Sequence, residues 1–147
     1  MNGIKMSNCK FYVNEAERTI ICVIPNAELM ITEFIYEHFV WKDIDFWRGM
    51  DAVLHKQLIM PRCFVGKAVC APEDEWNEEL GRLLAFSRAK NKCYQSFFKR
   101  ANLLVQTVDK RLNDMIIAFN DLGAKIDGKQ LELQKKIDEA MGFNIEE

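Results

Sequence analysis

The chain has 147 residues, a formal net charge of −2 at pH 7 and a hydrophobic fraction of 49%. This length is typical of a single domain, and a composition so rich in apolar residues excludes an intrinsically disordered chain. No apolar run reaches the roughly 20 residues that a transmembrane helix needs, and residues 1–5 lack the apolar core of a secretory signal. We therefore expect a cytoplasmic protein with no membrane contact.

The first predicted element is a β-hairpin. Residues 10–13 and Thr19–Ile24 are rich in aromatic and β-branched side chains, and the polar segment 14–18 between them has the size of a hairpin loop. Because Pro25 cannot donate to a sheet ladder and Asn26 can cap a helix, the second strand is expected to stop there. The sequence therefore predicts two antiparallel strands.

Two helices are predicted between the hairpin and the next strand. Residues 27–39 space their apolar side chains in a helical pattern, although the segment 31–36 reads equally well as a strand. Residues 43–58 follow a 3.6-residue period more clearly, and Asp43 or Asp45 can cap their start. A dense aromatic group, expected to be mostly core with the two tryptophans as an interface or ring platform, consists of Phe39, Trp41, Phe46 and Trp47.

A third strand is predicted at residues 63–70, with Pro61 before it and Pro72 after it. Gly66 lies within this strand, where a glycine predicts either a β-bulge or the close approach of another backbone. The sheet is therefore expected to gain a third member.

A long helical stretch follows the third strand. The acids at residues 73–75 favour a helix start there, because carboxylates stabilise the N-terminal end of a helix by about 0.3 to 1 kcal/mol each. The apolar pattern then continues to Leu122, with a break or bend expected between Lys90 and Cys93, so that two helices and one long bent helix are both possible. Gly123 is the expected stop.

The last predicted element is a short amphipathic helix over residues 129–141, reached through a turn at residues 127–128. These elements predict an α+β fold, with a small N-terminal antiparallel sheet followed by a long C-terminal helical arm. We expect a single domain over residues 1–147. The hairpin, helical insert and third strand occupy residues 1–72 of this domain, and the helical part occupies residues 73–147.

Charge is segregated along the long helix. No Asp or Glu occurs between residues 82 and 108, whereas five acids precede that stretch within residues 73–79. The cations of the stretch are Arg82, Arg88, Lys90, Lys92, Lys99 and Arg100. The helix dipole explains acids at the helix start but not their absence further on. The stretch is therefore either a solvated face, paired with acids of another element, or a surface for an anionic ligand.

Three cations and two aromatic residues of this stretch are the candidate ligand-binding residues. Arginine matches phosphate oxygens in bidentate geometry and lysine adds a point charge, so Arg88, Lys99 and Arg100 are assigned to phosphate. Phe97 or Phe98 is assigned to stacking on a base. Adjacent helical residues lie about 100° apart, so only one of these two rings can lie wholly in the core.

Patterns for catalysis or metal binding are not found in the sequence. The two histidines, His38 and His55, are not accompanied by an HExxH, GxSxG or Cys-His pattern. The five cysteines are an odd number without a CxxC pair, which favours buried free thiols over a zinc or redox site. We therefore predict a protein that is not an enzyme and that uses no metal or cofactor.

Two blocks of sequence carry a resemblance to a known family. The first is KFYVNE with TIICVI in the hairpin, and the second is FVGKAVCAPEDE with NEELG in the third strand and the following helix start. Together they resemble small bacteriophage proteins in which a hairpin and a further strand precede a capped helix and a long helical arm. The nearest family is the first type of Thoeris anti-defence protein.

The resemblance implies a non-enzymatic sponge in the host cytoplasm, an oligomer that binds and sequesters cyclic ADP-ribose or a related cyclic nucleotide immune signal without cleaving it. It implies a pocket with cations for the phosphates and aromatic rings for the adenine, often completed by a second subunit. An alternative is a phage inhibitor that binds a host defence protein directly, as anti-CRISPR proteins do, through the acidic residues 73–79. Plain nucleic-acid binding is less favoured, because the net charge is close to neutral.

Overall fold

The computed structural model describes residues 3–38 and 52–142. Most of the predicted helix at 43–58 and the aromatic group of Phe39, Trp41, Phe46 and Trp47 lie outside the described residues. Within the described part, the chain is a mixed α+β protein with a small antiparallel sheet followed by a long helix, which confirms the predicted fold class.

Three strands form the sheet, in the order β1-β2-β3 with both pairings antiparallel. They are β1 (Lys10–Asn14), β2 (Thr19–Ile24) and β3 (Phe64–Val69), and a short 3-10 helix at Met6–Asn8 that the sequence did not predict precedes them. The hairpin loop is tight, because the Asn14 side chain accepts a hydrogen bond from the Glu17 amide at 3.1 Å.

The described helices are α1 (Leu29–His38), α2 (Ala52–Leu58) and α3 (Glu78–Met141). The helical prediction for the first of these is therefore confirmed over its strand alternative. Ile31 and Ile35 are both buried and lie on one side of a helix, whereas Glu33 between them is exposed, although a strand would place all three on the same face.

The predicted start of the long helix at residues 73–75 is wrong, because α3 begins at Glu78. Asn77 caps it, with its Oδ1 accepting the amide of Leu80 at 2.9 Å. The carbonyl oxygens of Ala71 and Asp74 both accept hydrogen bonds from the guanidinium of Arg18. These bonds hold the segment before Asn77 in a turn. The preference of the acids at residues 73–75 for a helix start is too weak to replace these bonds.

At residues 90–93 the single helix is confirmed and the break into two helices is wrong, because α3 is continuous there. The predicted stop at Gly123 and the turn at residues 127–128 are also wrong, because α3 passes through both. Ala85, Ala89, Cys93 and Phe97 form an unbroken buried line across the expected break. A glycine inside a helix costs only about 0.5 to 1 kcal/mol relative to alanine, which is too little to end a long helix. Gly142 is in the left-handed conformation (φ +72°), and its amide donates to the Glu139 carbonyl just beyond the end of α3.

The chain divides into two compact units, Met1–Leu104 and Val105–Glu147. The prediction of a single domain stays a prediction. The first unit contains the sheet, α1, α2 and the N-terminal part of α3. The second unit contains the C-terminal segment of α3, where nearly all described side chains are exposed.

The core of the first unit lies between the sheet and α3. From the sheet it receives Ile20, Cys22 and Ala68, all buried. Gly66 lets the helix come into direct contact with β3, since a Cβ there would lie 2.0 Å from the carbonyl oxygen of Ala85. The register between β2 and β3 runs without interruption through Gly66, so this glycine serves a close backbone approach and not a bulge.

Candidate functional site

Two of the five candidate residues lie on one stripe of α3. Arg88 and Lys99, with Lys92 between them, fall within about 40° around the helix axis and span about 16 Å along it, given 100° and 1.5 Å per residue. All three side chains are exposed. We call Arg88, Lys92 and Lys99 the cationic stripe.

The cationic stripe runs beside β3, an edge strand of the sheet. Arg88 Nη1 donates to the carbonyl oxygen of Lys67 at 2.6 Å, and Lys92 Nζ donates to that of Val65 at 3.0 Å. These carbonyls face away from β2, so the two cations satisfy backbone acceptors that an edge strand leaves open. Both contacts are to neutral groups, and they fix the cations in place without cancelling their charge.

Arg100 lies on the flank of the helix, about 120° from Arg88. Its Nε donates to the carbonyl oxygen of Ile59 at 2.8 Å, and its Nη1 donates to the backbone carbonyl and hydroxyl oxygens of Ser96. The structure therefore places this arginine against the segment that follows α2, and it does not bring it together with the cationic stripe.

The two candidate aromatic rings have different environments, as their angular separation predicts. Phe97 is 3% exposed and packs edge-on against Phe34, with ring centroids 5.5 Å apart. Phe98 is 65% exposed, and its ring lies 6.4 Å from that of Tyr94. The ring accessible to a ligand is therefore that of Phe98, next to Lys99 in the sequence.

Two other cations of the stretch are engaged with partners that the sequence did not indicate. Arg82 pairs with Glu78 of the same helix at 2.7 Å and lies over the ring of Phe11. Lys90 lies 5.5 Å from the ring centroid of Phe86 and 5.6 Å from that of Tyr94. Of the six cations, Arg88, Lys92 and Lys99 therefore share one stripe, whereas the other three each lie in a different local environment.

The cavities among the described residues include three whose lining residues are known, and none of these three is lined by any of the five candidates. The largest of these three has a volume of about 350 Å³ and lies between the strands and the start of α3, with Arg18, Cys70 and Trp76 among its lining residues. Sequence reasoning missed Arg18, whose Nη2 donates to Cys70 Sγ at 2.9 Å and to the Ala71 carbonyl at 2.8 Å. A single arginine in a hairpin loop gives no signal of such distant contacts.

The environment of the buried cysteines keeps their thiols protonated and therefore unreactive. Burial raises the pKa of the Cys22 thiol to about 12 and that of the Cys93 thiol to about 11, with the nearby Cys9 adding to both shifts. Burial also raises the pKa of Cys9, and this effect is larger than the lowering of the same pKa by the hydrogen bond with Cys22. No group of three or more metal-binding side chains occurs within residues 3–38 and 52–142.

We expect the two deeply buried thiols to make the fold less stable at high pH. Their folded pKa values lie above the ordinary thiol value of 9.0, so their contribution is fully present below pH 9 and is lost as pH rises toward 11 to 12. Denaturant unfolding at pH 7, 9 and 10.5 measures this loss. The Cys22→Ala protein should lose less of its stability over this range than the wild type, and this difference isolates the contribution of the Cys22 thiol.

The exposed Cys63 provides the control for this prediction. The Cys63→Ser protein should keep the wild-type pH dependence. In the native protein at pH 8, a thiol reagent should modify Cys63 much faster than Cys22 or Cys93. Equal reaction rates at all three positions would contradict the assigned environments.

No helix in the described part of the chain is long and apolar enough to cross a bilayer. Comparison with known proteins adds no relative to this fold and site: no protein-family model, no curated protein and no solved structure matches the chain.

Proposed function

We propose that the protein binds and sequesters a phosphorylated small molecule of the cyclic nucleotide class, cyclic ADP-ribose or a relative of it, without cleaving it. In this proposal the cationic stripe of Arg88, Lys92 and Lys99 holds the phosphates. The proposal rests on the family resemblance of the sequence. Among the five candidate ligand-binding residues, it keeps only those that are exposed and not held elsewhere.

The observation that supports this function best is the uncompensated charge of the stripe. No carboxylate of the described residues lies within 4 Å of the charged atoms of Arg88, Lys92 or Lys99. Arg88 and Lys92 are held by neutral carbonyl oxygens, so their remaining N–H groups are oriented before any ligand arrives. A phosphate that reaches the stripe therefore meets preoriented donors and displaces no acidic partner.

In this proposal the base of the ligand stacks on the ring of Phe98, at the end of the cationic stripe. Its exposed ring lies about 100° around the helix from Lys99, so a ligand that wraps around this side of α3 can contact both. Stacking on an aromatic ring stabilises a bound base by about 1 to 3 kcal/mol. Arg100 and Phe97 are left out of the proposed site, because the former is held by Ile59 and Ser96 and the latter is buried.

Calorimetry of the full chain against cyclic ADP-ribose isomers and cyclic dinucleotides tests the function directly. Each charge-assisted hydrogen bond contributes about 1.5 to 3 kcal/mol, so Arg88→Gln and Lys99→Gln should each weaken binding about tenfold or more. Lys110→Gln removes an exposed cation from the same helix outside the stripe and should leave the affinity unchanged. If none of these ligands binds, the proposal is wrong.

The alternative function, inhibition of a host defence protein through the acids at residues 73–79, predicts a different result. Denaturing the purified protein should then release no nucleotide, and the chain should retain a protein from a bacterial lysate. Mass spectrometry of the released small molecules separates the two functions, because a sequestering protein carries its ligand through purification when binding is tight.

A further inference from the structure

The C-terminal segment of α3 carries an apolar stripe that nothing in the described structure covers. Seven residues recur with alternating spacings of three and four, which is the heptad pattern of a coiled coil. We call this set the heptad stripe, and its members are Val105, Val108, Leu112, Met115, Phe119, Leu122 and Ile126. All except the half-buried Val108 are between 48% and 75% exposed.

We propose that the heptad stripe pairs with the same stripe of a second copy of this chain, as a coiled coil over residues 105–126. The strict 3-4 spacing argues for a helical partner, because side chains spaced in this way fit the holes between residues of a facing helix. A globular partner would need no such period. A second copy supplies a facing helix with the same period and the same number of apolar positions.

Charge around the stripe also favours a second copy. Residues 105–126 contain three acids and three cations, so the segment is neutral and two copies do not repel each other. The acids and cations are Asp109, Asp114, Asp121, Lys110, Arg111 and Lys125. In the middle of the segment the positions that flank the stripe are uncharged, namely Ile116, Ala118 and Gly123. Repulsion between like charges at these flanking positions therefore does not oppose the pairing.

The same charges argue against a lipid surface as the occupant. Helices that lie on membranes carry a polar face rich in Lys and Arg, whereas the polar face here is balanced between the two signs. Glycine at positions 123 and 128 lowers the intrinsic helicity of the segment. A helix with these residues gains most of its stability from packing of its apolar face, which a second copy provides.

Sedimentation equilibrium of the full chain tests the pairing. At micromolar concentrations the apparent molar mass of the wild type should be about twice the chain mass of 17.2 kDa. Phe119→Glu, at the largest side chain of the stripe, should raise the dissociation constant at least 100-fold. Phe119→Ala adds no charge and keeps a good helix former, and it should raise the dissociation constant at least tenfold.

Ile117→Glu is the matched control, since Ile117 is 59% exposed on the same turn of the helix but lies outside the stripe. It should change the dissociation constant less than threefold. A wild type that stays at 17.2 kDa up to about 100 µM overturns the proposal. So does a Phe119→Glu protein that remains paired, or an Ile117→Glu protein that dissociates as readily. The pairing is independent of ligand binding, so either proposal can fail without the other.

Discussion

Replacing Gly66 with alanine should destabilise the first unit by at least about 3 kcal/mol, the upper end of the cost of overpacking a core. The new methyl group would lie 2.0 Å from the carbonyl oxygen of Ala85 and 2.5 Å from the amide nitrogen of Ala89. Both atoms belong to the backbone of α3, so neither can rotate away. The helix must retreat from β3, which opens the core around Ile20 and Cys22.

Thermal unfolding measures this effect, and two other glycines calibrate it. A loss of about 3 kcal/mol should lower the melting temperature by about 6 to 12 °C in a chain of this size. Gly81→Ala should cost less, because its methyl group would meet the flexible end of the Ile20 side chain at 2.6 Å. Gly123→Ala meets no atom within 4 Å and should stabilise the helix by up to about 1 kcal/mol. A Gly66→Ala protein as stable as the wild type would contradict the close packing of α3 on β3.

The elements that sequence predicted best are those whose limits are set locally. The second strand was predicted with its observed bounds, Thr19–Ile24, because a β-branched run ends there at a proline. The start of α3 was misplaced because its position depends on Arg18, whose guanidinium binds the carbonyl oxygens of Ala71 and Asp74 more than 50 residues along the chain. No local pattern contains that information.

The continuity of α3 was missed for an energetic reason. Gly123 and Gly128 each cost the helix no more than about 1 kcal/mol, so a glycine is a weak stop signal unless its backbone becomes left-handed. That conformation occurs at Gly142 instead. The predicted stop at Gly123 separates only Ile126, the last residue of the heptad stripe, from its other six members.

The candidate site was predictable in its charges but not in its contacts. The excess of cations in residues 82–108 is visible in the sequence, whereas the carbonyl oxygens of Val65 and Lys67 that hold Lys92 and Arg88 are not. Which of two adjacent phenylalanines is buried also depends on the rotation of α3 against the sheet. That rotation is fixed by tertiary packing at Gly66 and Ala89.

Exchanging Phe97 or Phe98 for alanine should therefore separate stability from ligand binding. Phe97→Ala should destabilise the first unit by about 3 to 5 kcal/mol, because it leaves a cavity and removes the edge-on contact with Phe34. Phe98→Ala truncates a ring that is mostly exposed, and its cost should stay below about 1 kcal/mol. Denaturant unfolding of the two proteins measures the difference.

Binding should respond in the opposite order. Loss of a stacking ring costs about 1 to 3 kcal/mol, so Phe98→Ala should weaken nucleotide binding by about 5- to 150-fold while the fold remains intact. Phe98→Trp keeps an aromatic face and should restore most of the affinity. If Phe98→Ala binds as tightly as the wild type, the base does not stack on this ring, and the cationic stripe alone must account for any binding. If both alanine variants unfold equally easily, Phe97 is not the core residue that its burial indicates, and the rotation of α3 on the sheet must differ from that described.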